Sequence, residues 1–179
     1  MKIRTFLFFF ISLCLLVACG GNQSLEEPPE IMYGEDVCEE CSMIINEPRF
    51  SASYVLTDGT VRRFDGIGEM IIYDTKYAED VHIYWVHDYK SEEWITTKDA
   101  TFLLSSDAHT PMGWGMLAFA QKADAEQFLA ENEGVMMTWD DLNTAVASGE
   151  LSPGTLSAHL QSHSGMNHGD EMNHEGMDH

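Results

Sequence analysis

Residues 163–179 carry no apolar side chain other than methionine. A tract of that composition cannot bury a core, so it limits the foldable part of the chain and its own residues need another explanation. Three Met-x-His steps run through it: Met166-Asn167-His168, Met172-Asn173-His174 and Met177-Asp178-His179, with His163 ahead of them. Thioether and imidazole together suit copper, the thioether favouring Cu(I) and the imidazole taking either oxidation state. Tags are usually plain runs of His, so the interleaved Met points to metal capture, with His163, Met166, His168, Met172, His174, Met177 and His179 as ligands.

The other end is bounded as well. Lys2 and Arg4 precede an apolar run from Thr5 to Val17, and Leu16-Val17-Ala18-Cys19 has the form of a lipobox. The run is short for a bilayer span and stops at small residues. Residues 1–18 therefore read as a lipoprotein signal peptide, and Cys19 as an acylated first residue that anchors the chain in membrane lipid. That address is the cell envelope, facing the periplasm or the outside. Residues 19–35, with Gly20-Gly21-Asn22 and Pro28-Pro29, form a lipid-anchored linker. The folded domain is expected at 36–152, and 153–179 as a disordered Met/His-rich tail. Cys14 leaves with the signal and Cys19 goes to lipid, so Cys38 and Cys41 remain for chemistry.

Nine Lys and Arg stand against 30 Asp and Glu, a formal charge of −21, and two of the nine basic residues lie in the signal. Such a surface repels nucleic acid and attracts cations and basic partners. The chain has no Gly-x-Ser-x-Gly, phosphate loop or dinucleotide fingerprint, which argues against an enzyme.

Between the two ends the pattern alternates strands and helices. Phe50 to Leu56 alternates polar and apolar residues, Asp58-Gly59 is a hairpin turn, and Val61 to Phe64 returns. Asp65 to Tyr77 has helical spacing, with Asp65 as N-cap, and Val81 to His87 is a strand. The second half repeats the order: strands at Ala100–Ser105 and Gly115–Phe119, a helix at Lys122–Glu133, and a strand at Val135–Met137. A last helix, Trp139–Ser148, starts from Asp140-Asp141 and stops at Gly149. The expected fold is α+β, two similar β-β-α-β units packed into one compact body.

Cys38-Glu39-Glu40-Cys41-Ser42-Met43 holds the densest soft ligands of the folded part. A Cys-x-x-Cys serves as half a zinc site, a redox pair, a haem attachment or a disulfide. Ser42 removes the haem reading, and the absence of a second Cys pair removes four-Cys zinc. Thiolate with the Met43 thioether selects Cu(I). A second cluster, Thr110-Pro111-Met112-Gly113-Trp114-Gly115-Met116, reads as a tight loop that offers Met112, helped by Met116. His109 lies nearby, while His82 and His87, five apart on one strand, face opposite sides.

At these residues the chain resembles the NosL family of copper lipoproteins that accompany nitrous-oxide reductase maturation. Cys41-Ser42-Met43 resembles its Cys-x-Met, Phe64–Tyr73 its first helix and the strand before it, and Trp94–Ala100 its middle segment. Met112-Gly113 followed by Ala118-Phe119 resembles its Met-Gly loop and next strand, so the likeness spans about 33–150. It implies two β-β-α-β units and a metallochaperone that delivers Cu(I) to an extracytoplasmic protein acceptor. Cys38 and the Met/His tail lie outside the family pattern. Two other functions fit the residues: a thiol-disulfide protein using Cys38 and Cys41, and a passive periplasmic metal buffer.

Overall fold

The computed structural model describes residues 24–164. Cys19 with the signal segment, and the tail residues Met166, His168, Met172, His174, Met177 and His179, lie outside the described residues. None of the described helices is long and apolar enough to cross a membrane.

The Asp58-Gly59 turn folds as its sequence requires. Gly59 has φ +86°, which suits a residue without a Cβ, and joins β1 (Ala52–Leu56) to β2 (Val61–Phe64) as an antiparallel pair. Helix α1 (Ile67–Tyr77) follows, and β3 (Val81–His87) returns along the other edge of β1. A short β4 (Trp94–Thr96) extends this sheet to the order β2-β1-β3-β4. The second half repeats the path with β5 (Thr101–Leu104), β6 (Met116–Phe119), helix α2 (Lys122–Leu129) and β7 (Val135–Met137), in the order β6-β5-β7. In both sheets the first strand of the unit lies between the second and the third. The paired β-β-α-β architecture is therefore present, with β4 as an added edge strand.

Helix α3 (Trp139–Ala147) is capped by Thr138, whose hydroxyl accepts from the Asp141 amide while the Asp141 carboxylate accepts from the Thr138 amide. That reciprocal pair starts the helix at Trp139, as expected, with Asp141 as the capping acid. Alternation along β5 and β6 buries both faces of the second sheet. Phe102, Leu104, Met116 and Ala118 face the core shared with Tyr54, Phe64, Ile67 and Met70 of the first half. Leu103, Leu117 and Phe119 face the other way, onto α2 around Ala125.

Both ends of the folded body differ from the expectation. Ile31 is buried, so the body takes in part of the expected linker. A fourth helix, α4 (Leu156–Ser164), occupies residues expected to be disordered, because Leu151 and Leu156 are buried in the core and Leu160 packs against it.

Candidate metal centre

Cys38, Cys41 and Met43 sit on one tight turn closed by a bridge between Val37 and Ile44. Its backbone is held by Cys38 N–H donating to Met43 O at 2.8 Å and Ser42 N–H donating to Cys38 O at 3.0 Å. Ser42 adopts φ +61°, in the left-handed region, which lets the chain reverse between the two thiols and the thioether. The turn is tied to β2 by Glu39 N–H donating to Arg63 O and by Arg63 Nε reaching Asp36 at 3.3 Å. Lys76 of α1 pairs with Glu40 on the other side.

This anchoring sets the turn over the junction of β2 and α1, where Asp65 points inward. The Cys41 thiol donates to both carboxylate oxygens of Asp65 at 3.5 Å. The sulfurs of Cys38 and Cys41 and an Asp65 oxygen all lie within 4.8 Å of one another. Both cysteines are free thiols. Cys38 is fully buried and Cys41 half-buried, so one sulfur is locked in the protein and the other faces its edge. Burial pushes both thiols above their ordinary range, and the Asp65 charge adds to this.

Asp65 is the residue that the sequence reading assigned elsewhere. The N-cap of α1 is Gly66, extended at φ −162°, and no side chain caps the helix. Asp65 is instead 3% exposed and turned toward Cys41. Nothing local in the sequence signals this, since 24 positions separate the two residues.

Apart from Met43, the other expected ligands fall at other places in the fold. Met43 is 49% exposed on the same turn. Met112 is 37% exposed on the loop before β6, and that loop docks on the start of α1 through Trp114. The Trp114 ring lies so close to Gly68 that a Cβ there would fall 2.2 Å from it. Met116, expected to assist Met112, is 3% exposed within the core, opposite Leu104 on β5. His109 is exposed and bonds to Asp107 O at 3.1 Å. His82 is bonded to Glu26, whereas His87 is buried against Ser51 and Trp94, as their odd spacing implies. His163 belongs to α4.

A buried acid sits in the first turn of α1. Glu69 is 2% exposed, with one carboxylate oxygen lacking a hydrogen-bond partner. Burial and then the charge of Asp65 raise its pKa to about 7.

The fold and centre thus define a class: an α+β protein of two β-β-α-β units whose soft-ligand turn lies over a buried aspartate. The chain belongs to the NosL family, whose profile matches residues 29–147. The crystal structure of the copper chaperone NosL from Shewanella denitrificans has the same fold, with a TM-score of 0.56 and 22% identity. That match covers 64% of this chain and 94% of the other. A comparison with curated proteins returns no match.

Proposed function

We propose that this chain is a non-enzymatic, membrane-anchored Cu(I) metallochaperone. Acylated Cys19 holds it in the envelope, and it delivers copper to an extracytoplasmic acceptor during copper-site assembly of nitrous-oxide reductase. The observation that carries the reading is the gathering of Cys38, Cys41 and Asp65 within 4.8 Å, with exposed Met43 on the same turn. Family membership and the likeness to a copper chaperone point the same way. Thiolates and thioethers favour Cu(I), and a bound cation displaces the thiol protons that burial otherwise retains. Cys38 would hold the ion from within. Half-buried Cys41 and exposed Met43 would be the ligands that an acceptor exchanges, and Met112 the further thioether across the α1 junction.

The raised thiol pKa values weigh against the thiol-disulfide reading, because a reactive redox cysteine is one whose thiolate is favoured. The test is a Cu(I) competition titration of the full chain against a chelator. Cys41→Ser should weaken binding by more than about 100-fold, exceeding the roughly 10–100-fold cost of losing a residue that only orients a ligand. Met43→Leu should weaken it less. Equal affinity of Cys41→Ser and the parent would overturn this assignment.

A further inference from the structure

Helix α4 lies beyond residue 147, where the family match ends, and presents two histidines one turn apart. The ring centroids of His159 and His163 are 4.7 Å apart at an interplanar angle of 49°. Side chains at i and i+4 project over one helical face, the spacing by which helices hold a cation between two imidazoles. The second observation is that Nε2 of His159 is buried and has no hydrogen-bond partner. A buried polar atom left so is costly, and such atoms are rare enough to need a cause. Glu150 acts electrostatically on His159, and Asp141 on His163. His163 also lines a cleft of about 760 Å³ against Ser106, Glu133 and Val135, which leaves its ring room to turn.

We propose that His159 and His163 form a second metal site, distinct from the Cys38/Cys41 centre, that takes a borderline divalent cation through two imidazole nitrogens. A cation held between the two rings supplies the partner that the His159 nitrogen lacks. Water completes the coordination, and Asp141 and Glu150 offset the charge. Cu(II) is the natural probe because it stands highest in affinity among divalent first-row ions. A site of this kind would receive copper in its oxidised state, while the thiol centre takes the reduced ion.

The test uses the full chain carrying Cys38→Ser, Cys41→Ser, His168→Ala, His174→Ala and His179→Ala, which removes the two thiols of the folded part and the other histidines of the tail. Cu(II) is titrated against a competing chelator and followed by electron paramagnetic resonance. The expected result is one Cu(II) with nitrogen hyperfine structure, weakened at least tenfold by either His159→Ala or His163→Ala. If His159→Ala disturbs the helix by circular dichroism, the partly exposed His163→Ala decides alone. Unchanged affinity in His163→Ala, or a bound Cu(II) without imidazole coupling, overturns the site. Because this chain lacks both thiols, failure here leaves the Cu(I) reading of Cys41 untouched.

Discussion

Asp65 stands where β2 hands the chain to α1, and its carboxylate accepts the Cys41 S–H at 3.5 Å. Burial, with the Asp65 charge adding to it, opposes ionisation of Cys41 and keeps it protonated until a cation competes for the sulfur. Asp65→Asn removes that charge while keeping the shape, and it should make Cys41 more acidic. Alkylation of Cys41 by iodoacetamide near pH 8, followed by peptide mass mapping, should speed up by about two- to fivefold, short of the tenfold that a full pKa step gives. A slower or unchanged rate would mean that burial alone sets the thiol. The two cysteines and Met43 were legible in the sequence because they are contiguous and chemically rare. Asp65 was not, because an acid before a helix reads first as a cap, and Gly66 fills that place here.

Helix α1 carries the clearest electrostatic tension at the scale of an element. Its first turn buries Glu69, and that burial together with the Asp65 charge raises the carboxyl to about 7 from an ordinary value near 4.5. A carboxyl whose folded pKa is raised contributes stability that is fully present below about pH 4.5 and is lost as pH rises through about 7. Glu69→Gln cannot ionise, so its stability relative to the parent should grow from pH 5 to pH 8 by about 2–3 kcal/mol. Guanidinium unfolding of both apo proteins at the two pH values measures this, and a constant difference would show that Glu69 does not titrate in that range. Comparing the two proteins cancels buried His87, whose pKa is lowered by desolvation and whose influence on stability runs the opposite way. The strands around α1 were readable from alternation and from the Asp-Gly turn. β4 escaped because Trp94–Thr96 is short and only half-buried on every residue, which leaves no polar-apolar contrast to read. Helix α2 was expected to reach Glu133 and stops at Leu129, ahead of Gly134, where a Cβ would fall 2.7 Å from Leu104 O.

At the scale of the whole molecule, the two β-β-α-β units share one core. Phe64, Ile67 and Met70 from the first unit pack in the same cluster as Phe102, Leu104 and Met116 from the second. The centre at the β2–α1 junction is thus positioned by both halves, with Trp114 of the second seated on Gly68 of the first. This unity was visible in the repeat of strand and helix order, but the C-terminal limit of the body was not. Leu156-Ser-Ala-His-Leu160 offers only two large apolar residues at helical spacing, too few to distinguish a docked helix from a polar tail. Their burial settles it, since Leu156 reaches into the turn at Gly115, where a Cβ would lie 2.8 Å from its Cδ2. Two truncations of the apo protein follow from that packing. Ending the chain after Ser164 removes only the Met/His steps and should change unfolding stability by less than about 0.5 kcal/mol. Ending it after Ser152 removes Leu156 and Leu160 and leaves a void beside β7 and the Gly115 turn, which should cost about 2–5 kcal/mol, as large-to-small changes in a core do. Urea unfolding followed by tryptophan fluorescence measures both, with Trp114 beside the lost helix as a reporter. Equal midpoints for the two truncations would mean that α4 is not part of the folded body, and the His159–His163 pair would then lose its rigid base.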